Sequence, residues 1–71
     1  MERYFLFGKN VTSAYEDGDL KEVIVAMHNE PWDYFVWDND SDPMDLLSVY
    51  DGFDGYVEMT EKDYKYLIVK P

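Results

Sequence analysis

An aromatic run that passes directly into an acidic run is the strongest constraint on how this chain folds. Residues 32–37 contain both tryptophans of the chain, and residues 38–45 carry four aspartates. Large rings fill a core efficiently, whereas a carboxylate is costly to bury unless it is paired. The first half is therefore predicted to be a buried central strand. The second half is predicted to be an acidic surface turn that opens a helix.

The size of the chain makes such a core necessary. A chain of 71 residues buries only about 60% of the surface that its unfolded form exposes. Aromatic residues make up 18% of the sequence, which favours a folded domain over a disordered acidic tail. The chain has no cysteine, so a disulfide scaffold and Cys-based metal or nucleophile chemistry are excluded. We expect a single domain over residues 1–71 and an intracellular, cytoplasmic setting.

Strand-like patterns occur at three places. Runs of aromatic and aliphatic residues suited to a pleated surface predict strands at Arg3–Phe7, Asp33–Trp37 and Tyr56–Met59. The last strand is short, which suggests an edge position with Glu58 pointing outward. The apolar run of Tyr4–Phe7 is too short for a signal peptide or a membrane span, so we expect a soluble protein.

Capping patterns predict two helices and suggest a third. Asp19 followed by Glu22 begins a helix to about Asn29, although the β-branched run at residues 23–25 leaves a strand open. Asp42 followed by Pro43 predicts a short helix to about Tyr50. Thr60 caps an apolar helical pattern near the end of the chain. Residues 11–18 are predicted to be irregular, or at most to begin one helical turn at Ser13.

These elements predict a small two-layer domain of the α/β or α+β class. It would have a three-stranded sheet, two or three short helices and the order β-α-β-α-β-α. A right-handed crossover would follow if the first two strands were parallel.

The charge is large and unevenly distributed. Sixteen acidic residues against six basic ones give a formal net charge of −10. No Lys or Arg lies between Lys21 and Lys62, whereas eleven of the acidic residues do. Such a surface disfavours DNA, RNA and anionic membranes as direct partners and favours a basic protein surface. We expect a monomer or a weak homodimer that needs no cofactor.

The acidic run also has a regular spacing. In an extended segment, Asp38, Asp40 and Asp42 would lie about 6.6–7 Å apart on one side, which resembles the charge repeat of a nucleic-acid strand. The hypothesis is a non-catalytic inhibitor that mimics nucleic acid and occupies a nucleic-acid-binding protein. Small acidic α/β proteins of this kind are common in viral and mobile-element genomes. The predicted partner-binding residues are Asp38, Asp40, Asp42, Asp45, Tyr50, Asp51, Phe53 and Asp54, with Trp32, Tyr34 and Tyr56 as further aromatic anchors.

Three other functions remain open. The apolar residues Met44, Leu46, Leu47 and Tyr50 would suit an adaptor or assembly subunit that docks through an apolar patch. A calcium site is the second alternative, because residues 38–42 place oxygen ligands at every second position, as the calcium loop of a helix-loop-helix site does. However, that loop needs glycine where this chain has Pro43 and glutamate where it has Val49. Enzymatic activity is the third alternative, but the sequence contains no catalytic motif. His28, the only histidine, has no partner for general-base or metal chemistry and is better explained as a helix-end residue.

Overall fold

The computed structural model describes residues 2–38 and 55–69. The strands are β1 (Arg3–Phe7), β2 (Asp33–Trp37) and β3 (Tyr56–Met59). The helices are α1 (Lys9–Glu16), α2 (Leu20–Asn29) and α3 (Glu61–Tyr64), and α3 continues into a π-helical turn at Lys65–Val69. The described part is thus a mixed α/β fold with the order β-α-α-β-β-α. The predicted order was wrong in placing one helix between β1 and β2, and the helix predicted from Asp42 to Tyr50 lies outside the described residues.

The three strands form one antiparallel sheet with the order β2-β1-β3. Phe5 pairs with Phe35 on β2 and with Glu58 on β3. The prediction that β2 is the central strand was therefore wrong, because β1 holds that position in the described sheet. The burial explains the difference: Tyr4 to Phe7 are all buried, as a central strand requires, whereas β2 is half-buried with Tyr34 exposed. Among the described strands, β3 lies at the edge, as predicted.

The antiparallel pairing of β1 with β2 follows from the number of helices between them. One helix would return the chain to the start of β1 and give a parallel neighbour, whereas two helices bring it back to the end of β1. Two contacts mark this return: Gly8 packs against Pro31 and Trp32, and Asn10 donates a 2.6 Å hydrogen bond to the Glu30 carboxylate. The crossover considered from the sequence is therefore absent.

Helix α1 occupies residues that were predicted to be irregular. Gly8 precedes its first residue as the N-cap and has a φ of +142° that needs glycine, and no side-chain hydrogen bond caps the first turn. Buried Val11, Thr12 and Ala14 hold it against the sheet and α2, and the Thr12 hydroxyl donates back to the Gly8 carbonyl at 2.6 Å. Packing therefore stabilises α1 where the sequence offers no start signal.

The two other described helices begin where the caps predicted. The Asp19 carboxylate accepts from the Glu22 amide at 3.1 Å, and the Thr60 hydroxyl accepts from the Asp63 amide at the same distance. In a capping box, the Glu22 side chain would accept a hydrogen bond from the Asp19 amide. Here that amide donates to the carbonyl of Ala14 in α1 instead. The helical interpretation of residues 23–25 is confirmed, since Val23 is buried within α2.

The sheet has two faces with different surroundings. The helix-side face carries Tyr4, Leu6, Val36, Val57 and Met59. Helices α1 and α2 and the π-helical turn after α3 pack against it through Val11, Val23 and Leu67. The opposite face carries Phe5 and Phe7, against which Phe35 and Trp37 pack. Among the described residues, no helix is long and apolar enough to cross a membrane.

Candidate interaction surface

Asp38 is the one predicted partner-binding residue that the structure describes. It is exposed and follows the last residue of β2 directly. This exposure places one carboxylate of the acidic run at the surface, and the partner-binding role of Asp38 stays a prediction. The other predicted positions lie outside the described residues, namely Asp40, Asp42, Asp45, Tyr50, Asp51, Phe53 and Asp54.

The acidic side chains of the described part all lie at the surface. Eight are exposed and three are half-buried, so none of these carboxylates is taken into the core. The exposed ones are Glu2, Glu16, Asp17, Asp19, Glu22, Asp38, Glu58 and Glu61. The field of a carboxylate at the surface reaches solvent. The excess of acid in the sequence is thus available to a partner in this part of the molecule.

Two of these carboxylates are paired with basic residues. Arg3 donates to both oxygens of Glu58, at 3.1 Å from Nε and 3.0 Å from Nη2. These hydrogen bonds and the positive charge of Arg3 lower the pKa of Glu58, against the opposing effect of burial. The Arg3 guanidinium also lies 5.2 Å from the centre of the Phe5 ring. Glu61 pairs with Lys65 at 3.0 Å, one helical turn along.

A group of exposed acids that the sequence-based site did not include lies at the turn between α1 and α2. Glu16 and Asp17 end α1, and Asp19 and Glu22 begin α2. All four are exposed, and Asp19 acts as the helix cap. Of these four residues, Asp19 and Glu22 were predicted, and only as a helix-capping pair. They add negative charge at the turn between α1 and α2.

The three predicted aromatic anchors do not form one surface. Tyr34 and Tyr56 have similar exposure, 41% and 40%. Tyr34 pairs with Leu6 and Tyr56 with Phe7, so the two rings lie on opposite faces of the sheet. Trp32 is half-buried and packs with the helix-side core. One flat interface can therefore contain Tyr34 and Trp32 but not Tyr56.

On the helix-side face, four rings follow one another in what we call the aromatic row: Trp32, Tyr34, Tyr64 and Tyr4. The ring centres of Trp32 and Tyr34 are 6.4 Å apart, and those of Tyr34 and Tyr64 are 6.1 Å apart. Tyr64 stacks on Tyr4 at 4.2 Å with an angle of 17° between the planes. Tyr4 was predicted only as part of the strand Arg3–Phe7, and Tyr64 only as part of the apolar helical pattern after Thr60. Tyr64 contacts Tyr34 and Tyr4 because of the way α3 packs across the sheet, and sequence spacing does not predict that packing.

Both ends of the aromatic row are fixed by hydrogen bonds. The indole Nε1 of Trp32 donates to the Met27 carbonyl at 3.1 Å, and the Tyr4 hydroxyl donates to Glu2 at 3.2 Å. Burial, the bond to Glu2 and the charges of Glu2 and Glu61 raise the pKa of the Tyr4 hydroxyl. Carboxylates therefore lie close to the Tyr4 end of the row.

The other predicted sites receive little further support. His28 is exposed in the last turn of α2, which confirms its position at a helix end. Within residues 2–38 and 55–69, no three acidic or histidine side chains are grouped so that they could hold a metal ion. The residues of the predicted apolar patch, Met44, Leu46, Leu47 and Tyr50, lie outside these ranges.

Comparisons with known proteins leave the family open. No family model matches the chain, and searches of curated proteins and of solved structures found no significant match. The functional proposal below therefore rests on the charge and the surface of this chain alone.

Proposed function

We propose that this chain is a non-catalytic acidic binding protein that occupies a basic surface of a larger protein. The preferred target is a surface that otherwise binds nucleic acid. The observation that carries the proposal is the placement of charge. Forty consecutive residues contain no Lys or Arg, and every acidic side chain in the described part is exposed or half-buried. Solubility alone requires a net charge of smaller magnitude than −10 in a domain of this size.

A basic groove gains free energy from such a partner in the way it does from DNA. Binding of phosphates to Lys and Arg side chains releases condensed counterions, which makes affinity steeply dependent on salt. An acidic protein lacks the dense charge of DNA, but opposite potentials still accelerate association and select the partner. Affinity is therefore expected to fall as salt is raised, and DNA is expected to compete for the same groove.

The test is an affinity capture on the immobilised full chain, washed at low and at high salt and with or without duplex DNA. We expect recovery of a nucleic-acid-binding protein that both salt and DNA displace. A partner that survives high salt and ignores DNA would contradict the proposal. It would favour the alternative function, an adaptor or assembly subunit with an apolar docking patch.

Two variants with the same loss of charge locate the binding surface. The first neutralises the acidic run at Asp38→Asn, Asp40→Asn and Asp42→Asn. The matched control changes three exposed acids near the α1–α2 turn, Glu16→Gln, Asp17→Asn and Glu22→Gln, and leaves the Asp19 cap in place. We expect the first variant to lose the captured protein and the control to keep most of it. Equal losses would show that net charge matters and that the acidic run does not form a specific site.

A further inference from the structure

The centre of the aromatic row is open to solvent. Tyr34 is 41% exposed although it lies on the face of the sheet that the helices cover. Rings stand on both sides of it, with Trp32 at 6.4 Å and Tyr64 at 6.1 Å. Within the described part of the chain, no hydrogen bond holds the hydroxyl of Tyr34 or of Tyr64. An incoming group can therefore reach the Tyr34 side chain, next to the rings of Trp32 and Tyr64.

The row is organised before any ligand arrives. The indole hydrogen bond fixes Trp32, and Gly8 packs so closely beside it that an added Cβ would lie 3.2 Å from the Trp32 Cβ. Tyr64 is held by its stack on Tyr4, whose hydroxyl is bound to Glu2. Aromatic side chains have few rotatable bonds, and these contacts restrict them further. Binding here loses little conformational entropy.

The electrostatics of the row favour a cation. The faces of aromatic rings carry negative potential and attract ammonium and guanidinium groups. Glu2 and Glu61 act on the Tyr4 end of the row, although Lys65 compensates Glu61 in part. A molecule with a net charge of −10 adds a long-range field of the same sign.

We propose that the aromatic row binds an arginine side chain presented by the basic partner. This inference rests on the proposed function and names one contact within it. Arginine suits the row better than lysine, because its planar guanidinium stacks on ring faces and loses its weaker hydration more easily. The guanidinium would stack on Tyr34 between Trp32 and Tyr64, and its remaining N–H groups would donate to the phenol oxygens of Tyr34 and Tyr64.

The test compares two peptides of equal length and charge, one of arginine and one of lysine, each titrated against the full chain. Calorimetry gives the affinity, and two-dimensional NMR reports the ring protons of Trp32 and Tyr34. We expect the arginine peptide to bind about two to five times more tightly, which is the range of an exposed cation–π contact. The ring protons should shift with arginine and much less with lysine.

Substitutions then assign the preference to the row. Tyr34→Ala should abolish the preference for arginine, whereas Tyr34→Phe should keep most of it because the ring face remains. The matched control is Tyr66→Ala, since Tyr66 is 52% exposed on α3's π-helical continuation and two residues beyond Tyr64. It should leave the preference unchanged. Melting curves confirm that each variant is folded, and the NMR shifts of the unmodified chain test the contact independently of any variant.

The outcomes separate this inference from the proposed function. Equal binding of both peptides, without ring shifts, would overturn the arginine contact and leave the acidic binding protein intact. A preference for arginine that Tyr34→Ala retains would also overturn the contact. Failure of both peptides to bind at low salt would count against the contact and the proposed function together.

Discussion

The two faces of the sheet use aromatic side chains in opposite ways. On the opposite face, Phe5 and Phe7 are almost entirely buried, and Phe35 and Trp37 pack around them. On the helix-side face, aliphatic residues fill the core, and the aromatic row at its margin leaves Tyr34 largely open. Rings of the two sets alternate along β1 and β2, as at Tyr34 and Phe35, so local sequence alone does not distinguish their roles. Burial separates the rings that stabilise the fold from the ring that is available to a partner.

The largest expected effect is on the free energy of unfolding, and it tests whether the two faces of the sheet differ as described. Phe7→Ala removes a ring that has no exposed surface and should lower the free energy of unfolding by about 3–5 kcal/mol. Tyr34→Ala, on the neighbouring strand, should cost about 1 kcal/mol or less because much of its ring is already in water. Urea unfolding curves measure both. Equal costs would mean that Tyr34 is a structural residue, and the assignment of the row to binding would then be wrong.

The next largest effect concerns the residue that links the sheet to the aromatic row. Gly8→Ala places a side chain at φ +142°, where an added Cβ would also lie 3.2–3.3 Å from Trp32, Pro31 and Val11. Strained backbone of this kind costs on the order of 1–3 kcal/mol before any packing change. The melting temperature should fall, and the Trp32 fluorescence should change as its ring is displaced. An unchanged melting temperature would show that α1 can begin without glycine.

Sequence reasoning found the elements that carry local signals. The bounds of β1, β2 and β3 are confirmed, as are α2 and the start of α3, because alternation and caps are properties of neighbouring residues. Helix α1 was missed, since its start has no cap and its stability comes from burial of Val11 and Ala14. The position of β2 was wrong because aromatic density was equated with centrality.

The candidate site was predictable only in part, for a related reason. The exposure of Asp38 agrees with its place in the acidic run. The aromatic row joins residues from β1, β2, α3 and the segment before β2 that are up to sixty positions apart, so no spacing rule brings Tyr4 and Tyr64 together. Contacts between distant segments depend on the packing of the whole fold, which the sequence pattern does not specify.

A smaller loss of stability is expected when the hydrogen bonds of the Tyr15 hydroxyl are removed. The Tyr15 hydroxyl donates to Asp63 at 2.7 Å and accepts from the Thr60 amide at 3.2 Å, and it thereby joins α1 to α3. Tyr15→Phe should cost about 1–2 kcal/mol, as expected for a partly buried bond to a carboxylate. Denaturant unfolding at neutral pH measures this loss. A loss near zero would mean that packing alone holds α1 against α3.

The same tyrosine gives a dependence on alkaline pH. Burial and the bond to Asp63 raise the pKa of Tyr15, against a smaller opposing effect of the Thr60 amide. In the unfolded chain the group ionises near its ordinary pKa of 10. The stabilisation is therefore complete below that pH and is lost as the pH rises through the folded-state pKa. Tyr15→Phe should make the alkaline decline in melting temperature shallower, and an identical decline would contradict the assignment.

The smallest expected effect lies on the opposite face, at the pair of Arg3 and Glu58. Both side chains are more than a third exposed, so Glu58→Gln should cost less than about 1 kcal/mol in spite of the bidentate geometry. Because Arg3 lowers the pKa of Glu58, the contribution is present above the ordinary pKa of 4.5 and is lost as the pH falls through the folded-state value. The variant and the unmodified chain should therefore differ in melting temperature at pH 7 and converge once the pH lies below the folded-state pKa of Glu58. A difference that persists in acid would show that Glu58 stabilises the fold through packing on Phe5 and not through its charge. The opposite face would then gain stability from Glu58 as well as from its buried rings.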